Sequence, residues 1–179
     1  MQTSLVLTII ADDKPGIVER LAEHVLATGA NWEESRMARL GGKFAGLLRV
    51  TVTRDAADAL AAKLTSLNTD GLTVVVARTA DSPPVSLRAL RLELVGNDRP
   101  GIVHDIARVL ARQGVNIDEL ETDLESAPMS GEPLFRARAH LHVPSTVSLD
   151  ALRQQLEELA GELMVDLALD DIGETAPQA

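Results

Sequence analysis

The chain repeats itself. Asp13-Lys14-Pro15-Gly16-Ile17-Val18 returns 85 residues later as Asp98-Arg99-Pro100-Gly101-Ile102-Val103. The same offset pairs Leu5, Leu7 and Ile9 with Leu90, Leu92 and Leu94 before the motif. After it, Leu21, Val25, Gly29, Asn31 and Glu34 pair with Ile106, Leu110, Gly114, Asn116 and Glu119. One register held over so many positions marks a tandem duplication. The 179 residues therefore build two small copies of one unit.

Each copy has the same order of elements. Leu90, Leu92 and Leu94 alternate with Arg91 and Glu93, the period of a strand with one face buried. Ile102, Val103, Ile106, Val109 and Leu110 then recur at helical spacing. The helix is expected to begin at Pro-Gly, with proline in its first turn, and to stop at Gly29 or Gly114. A hairpin follows, turning near Gly41-Gly42 in the first copy and six residues longer in the second, where it carries Ala127–Pro133. A second helix (about Ala56–Leu67 and Leu149–Leu159) and a last strand (Leu72–Ala77 and Leu163–Leu169) complete each copy. The order β-α-β-β-α-β predicts an α+β fold of two ferredoxin-like units, antiparallel sheets with both helices on one face. The expected domains are residues 1–80 and 87–172, with a stiff polar linker at 81–86. Asp170–Ala179 has little to bury and is expected to fray, with 173–179 as a disordered tail.

Composition excludes several functions. The only aromatics are Trp32, Phe44 and Phe135, too few to stack single-stranded nucleic acid. No cysteine is present, so disulfides and thiolate chemistry are out and a reducing compartment is expected. The amino terminus is poor for a signal peptide and no apolar run is long enough to span a membrane. A cytoplasmic protein without membrane contact is the expectation. The net charge of −10 falls entirely on residues 81–179, while residues 1–80 are neutral. That acidity disfavours direct nucleic-acid binding and favours action through a protein partner.

The turn after the first strand is the candidate site. A helix N-terminus offers free N–H groups and a positive dipole end to a carboxylate. Asp12 and Asp13, or Asn97 and Asp98, stand beside it and can hold an ammonium. Asn31 and Asn116 add a donor and an acceptor each. That set suits the zwitterion of an amino acid. A purely structural reading stands beside it: Asp near the N-cap and Pro at N1 simply start a helix well. The glycine is what the structural reading explains least, since it costs up to ~1 kcal/mol in a helix and its usual reason is close approach of backbone to something.

Other constellations carry less. His140 and His142 share a face with Arg136 and Arg138, which is hostile to a metal ion. Glu119, Glu121, Asp123 and Glu125 line the neighbouring strand, predicting an opposite-charge ladder. His24 and His104 read as solvent-facing positions without a partner. Nucleophile-elbow, zinc-protease, P-loop and dinucleotide motifs are absent from the sequence. No enzyme activity, metal or cofactor is expected. On the first strand's open face, Val6 and Ile10 stand where the second copy has Arg91 and Val95. Two such units can pair side by side, and the more apolar first copy suits a homodimer.

Two β-α-β-β-α-β units, each with Asp-x-Pro-Gly-Ile-Val and a Gly-x-Asn after the helix, resemble tandem ACT domains. The hairpin Ala-Pro-Met-Ser-Gly-Glu-Pro-Leu-Phe at residues 127–135 resembles the glycine cleavage system transcriptional repressor family. The first resemblance implies amino-acid binding at domain interfaces, around Asp13, Pro15, Gly16, Ile17 and Asn31, then Asp98, Pro100, Gly101, Ile102 and Asn116. The second implies a repressor responsive to glycine that contacts a transcription regulator rather than DNA. The second copy keeps the family's Asp-Arg-Pro-Gly, where the first has Lys14, so the second turn comes first as a binder. Two rival readings remain: a free-standing regulatory subunit on an enzyme of amino-acid metabolism, and a ligand-free dimerisation module.

Overall fold

Leucine and isoleucine at alternate positions draw the first strand of each copy into its core. Leu5, Leu7 and Ile9 are buried, as are Leu90, Leu92 and Leu94. The computed structural model describes residues 1–79, 87–127 and 131–174. The chain divides into two units, Met1–Ser82 and Pro83–Ala179. The expected linker at 81–86, the hairpin residues 128–130 and the tail beyond 174 lie outside the described residues.

Unit 1 runs β1 (Gln2–Asp12), α1 (Ile17–Leu26), β2 (Asn31–Leu40), β3 (Lys43–Thr53), α2 (Ala57–Thr65) and β4 (Leu72–Arg78). Unit 2 repeats this as β5 (Leu87–Asn97), α3 (Ile102–Arg112), β6 (Asn116–Ser126), β7 (Pro133–Pro144), α4 (Leu149–Leu163) and β8 (Val165–Glu174). The sheets have the orders β2-β3-β1-β4 and β6-β7-β5-β8, antiparallel throughout. These are the two ferredoxin-like units that the sequence predicts.

Both helices of a unit pack on one sheet face. Leu21 and Val25 of α1 join Leu60 and Leu64 of α2 over Leu5, Leu7, Leu48 and Val50. In unit 2, Ile106 and Leu110 of α3 and Leu152 and Leu156 of α4 cover Leu90, Leu92, Leu94 and Leu141. No polar or charged side chain is buried among the described residues, so burial of aliphatic surface is the main driving force for each core. The edge strands β2 and β6 carry a bulge at the same place, between Trp32 and Glu34 and between Ile117 and Glu119. Bulges of this kind blunt an edge against further pairing. No helix of the described residues is long and apolar enough to cross a membrane.

Boundaries differ from the sequence reading at several places, and Leu163, expected to open the last strand of unit 2, instead closes α4. Helix α4 runs one turn beyond Leu159, because Ala160 and Leu163 continue its buried stripe. It ends on Met164, held at φ 54°. Strand β8 extends to Glu174 where fraying is expected from Asp170, since Asp171, Gly173 and Glu174 pair with Leu90, Ala89 and Arg88 across a bulge. Finally, α1 and α3 start at Ile17 and Ile102, one residue after the glycine rather than at proline.

Candidate ligand site

The last difference redefines the turn. Gly16 has φ 93° and ψ −2°, Gly101 φ 100° and ψ −9°. With proline just before, these are the values of the third residue of a type II turn, which requires positive φ. A Cβ on Gly16 would come no nearer than 3.9 Å to Glu19 Oε2, and one on Gly101 no nearer than 3.9 Å to Asp105 Oδ2. The glycine is thus demanded by backbone conformation, not by a group pressed against it. Close approach, the reason expected from the sequence, is absent within each unit.

The turn leaves each helix start open. The first N–H to bond back along the helix is that of Arg20, to Gly16 O at 3.0 Å, and in unit 2 that of Asp105, to Gly101 O at 2.9 Å. Neither helix has a side-chain cap. The N–H groups of residues 17–19 and 102–104 therefore have no intrahelical acceptor. The turns are pinned to the neighbouring hairpins: Asp13 N–H donates to Gly42 O and Asp98 N–H to Pro133 O, each at 3.1 Å.

The acidic residues differ between the copies. Asp13 accepts from Arg39 Nε at 2.7 Å, and Asp12 pairs with Lys43. The hydrogen bond from Lys43, then its charge, holds the Asp12 carboxyl below the usual aspartate range, with Lys14 adding to the effect. The hairpin of unit 2 has Leu124 and Leu134 where unit 1 has Arg39 and Lys43. Asp98 is exposed and makes no ion pair among the described residues.

In unit 1 a cavity of about 140 Å³ opens beside the turn, lined by Ala11, Asp12, Lys14, Pro15, Ile17, Arg20, Gly71 and Leu72. It gathers Pro15 and Ile17 from the predicted set and adds Arg20 and the Gly71-Leu72 backbone, which the repeat pattern does not flag. Its size suits a molecule smaller than those held by pockets of 300 Å³ and above. Ile102, by contrast, is buried in its own core and can offer a ligand only its N–H.

The asparagines lie at the other end. Asn31 stands across from Thr51, in line with Ser4 near the start of β1. Asn116 stands across from His142, in line with Ala89. The turns follow Asp12 and Asn97, eight strand residues further on in each case, or about 26 Å. Within one unit, glycine and asparagine cannot touch the same small molecule.

The open face of unit 2 carries the predicted ladder. Glu119, Glu121 and Asp123 stand opposite His140, Arg138 and Arg136. His140 Nδ1 lies 3.2 Å from Glu119 Oε2, and ion pairs join Arg138 to Glu121 at 3.9 Å and Arg136 to Glu125 at 3.3 Å. Glu119, Glu121, Arg138 and His140, with Arg91, Glu93 and Ala139, surround a depression of about 470 Å³, where acidic and basic side chains face one another. His24 is half-buried, with Nδ1 2.7 Å from Arg20 O. It has the partner that the sequence reading denied it.

Two β-α-β-β-α-β units with this duplicated turn define the class. The ACT domain family matches residues 3–77 and again residues 88–165, and the chain belongs to it as a tandem of two ACT domains. Among characterised proteins it is similar to the glycine cleavage system transcriptional repressor of Escherichia coli (strain K12), 25% identical over 164 residues, covering 90% of this chain and 86% of that repressor. A crystal structure of an unknown protein from Galdieria sulphuraria superimposes with a TM-score of 0.81 at 31% identity, covering 96% of this chain and 99% of the other. A crystal structure of a putative glycine cleavage system transcriptional repressor shares the fold, with a TM-score of 0.70 at 20% identity over 97% of this chain and 99% of that one. Membership of the ACT domain family and the similarity to the Escherichia coli repressor support a regulatory role.

Proposed function

We propose that this chain is a non-enzymatic, amino-acid-responsive regulator that acts by binding a transcription regulator rather than DNA. The observation that carries the ligand part is the duplicated type II turn. In both units it leaves three N–H groups at a helix start without an intrahelical acceptor and without a side-chain cap. Such a group of donors suits a carboxylate. The ligand's ammonium would go to Asp98 in unit 2, whose carboxylate has no cationic partner among the described residues. In unit 1 it would have to compete with Lys43 and Arg39 for Asp12 and Asp13.

Because the asparagines are about 26 Å from the turns in their own units, Asn31 or Asn116 would serve a turn only from outside its own unit, as a homodimer would allow. Glycine is the proposed ligand by likeness to the repressor named above. The net charge of −10 supports a protein partner with a basic surface over a nucleic acid.

Thermal unfolding with glycine and the other common amino acids tests the ligand. At one hundred times Kd, binding to the folded state adds about 2.7 kcal/mol. Gly101→Val should weaken that response more than Gly16→Val, and Asp98→Asn more than Asp13→Asn. A folded protein that no amino acid stabilises would overturn the ligand reading. The same ligand response in all four variants as in the wild type would overturn the placement.

A further inference from the structure

Helices α1 and α3 hold equivalent places in their units, and each carries a strip of small aliphatic side chains toward solvent. The strips are Val18, Ala22 and Leu26 on α1 and Val103, Ala107 and Ala111 on α3, spaced by four residues and so on one side of the helix. Val18 is 47% exposed, Leu26 78% and Val103 41%. Along each strip, one residue further on, the charge changes sign between the copies. Where α1 has Glu19 and Glu23, α3 has His104 and Arg108, with Arg112 one turn later, and all of these are exposed. Arg20 and Asp105, also exchanged, lie on the far flank at 100° per residue, and Asp105 meets Arg108 at 3.3 Å. Beside the strips, the helix-side residues of β2 are Ser35, Met37 and Arg39, the last held by Asp13. Those of β6 are Leu120, Thr122 and Leu124, of which Leu124 is 63% exposed. A crevice of about 20 Å³ opens between Val103, Ala107 and Leu120, walled by apolar side chains, with about the room of one methyl group.

We propose that α1 of one copy packs against α3 of a second copy, the aliphatic strips meeting and the acidic flank of α1 lying along the basic flank of α3. This pairing rests on the homodimer raised above and not on its ligand. Charge selects the unlike pair. Two α1 helices side by side would set Glu19 and Glu23 against their own copies, and two α3 helices would do the same with Arg108 and Arg112. On α3, by contrast, the two glutamates of α1 find opposite charge. Shape agrees in an antiparallel register that sets Ala22 across from Ala107. Leu26 then reaches Val103, where the crevice takes its terminal methyl, and Glu23 and Glu19 come beside Arg108 and Arg112. Alanines at the crossing allow the axes to approach to about 8 Å. One such contact is heterologous, and two of them related by a two-fold axis close a dimer with no free end.

Exposed ion pairs contribute little each, so the strips supply the affinity and the charges choose the partner. A contact between two helices of three turns is smaller than the roughly 800 Å² that each partner gives to a standard interface. Association is therefore concentration-dependent, with a dissociation constant on the order of micromolar.

Sedimentation equilibrium of the full chain, over a concentration series spanning the micromolar range, tests this. Wild-type mass should rise from one chain to two across the series. Glu23→Arg and Arg108→Glu change exposed positions, and circular dichroism verifies that each variant is folded. Each alone should weaken the association about tenfold or more. The variant carrying both exchanges should return to within about threefold of the wild type, because the pair is restored with its charges swapped. A wild-type mass that stays at one chain would overturn the proposal. So would wild-type association in both single variants, or a double variant that associates no better than either single one. Thermal unfolding with amino acids on the same samples keeps the two readings apart. A ligand shift in a protein that stays monomeric sinks the helix pairing alone, and a dimer without any ligand shift sinks the ligand alone.

Discussion

Across the middle of the open face, unit 1 presents Arg36, Leu47, Thr8 and Val75, and unit 2 presents Glu121, Arg138, Glu93 and Ala168. Beneath these rows the cores are near copies, with Leu5, Leu7 and Ile9 buried in one as Leu90, Leu92 and Leu94 are in the other. Identical burial is what the shared fold needs, because each unit must cover one sheet face with two helices. The uncovered face is under no such demand. The duplication has kept its chemistry where folding requires it and diverged where folding does not.

The largest test concerns the sameness of the cores. Leu7→Ala and Leu92→Ala should each cost about 2–5 kcal/mol, since both side chains are almost wholly buried. Chemical denaturation of both variants checks this, and a cost confined to one would break the equivalence. Next come the turns. Gly16→Ala and Gly101→Ala should each cost about 1–2 kcal/mol through backbone conformation alone, with no clash to relieve. A much larger loss at either would mean that something presses on that glycine.

Smaller effects sharpen the contrast between the open faces. Glu121→Arg sets like charge opposite Arg138 and should cost about 0.2–1 kcal/mol at low salt. Arg36→Glu, the matching change in unit 1, faces Leu47 and should stay within about 0.5 kcal/mol. The smallest concerns Asp12. Its folded pKa is depressed by Lys43, so the pair stabilises the protein above the ordinary aspartate range, and the contribution disappears as pH falls through the lowered value. Asp12→Asn should remove that slight acid-side slope from the stability profile.

Much of the fold was legible in the sequence. The period-two leucines of β5, the helical stripe from Ile102 to Leu110 and the closing glycines act locally, and local signals survive into structure. The first helical residue was not legible, because Pro-Gly before an apolar stripe is written the same way for a type II turn as for a helix start. The extent of β8 was hidden too: its polar end is held by backbone pairing across a bulge, with Arg88 and Asp171 at 3.9 Å, and none of that has a sequence period. At the site, the turn was found but its surroundings were not. Helix α1 carries the chain back along the sheet, so Asn31, close in sequence, ends far from Gly16. Arg39 and Lys43, distant in sequence, return to hold Asp13 and Asp12.

The central claim is that the duplicated turn binds an amino acid. Isothermal titration of the full chain with glycine, followed by the other common amino acids, measures it directly. Saturable binding that Gly101→Val abolishes, in a variant that remains folded, is the predicted result. No heat from any amino acid with folded wild-type protein, or binding untouched by Gly101→Val and Gly16→Val together, would contradict it.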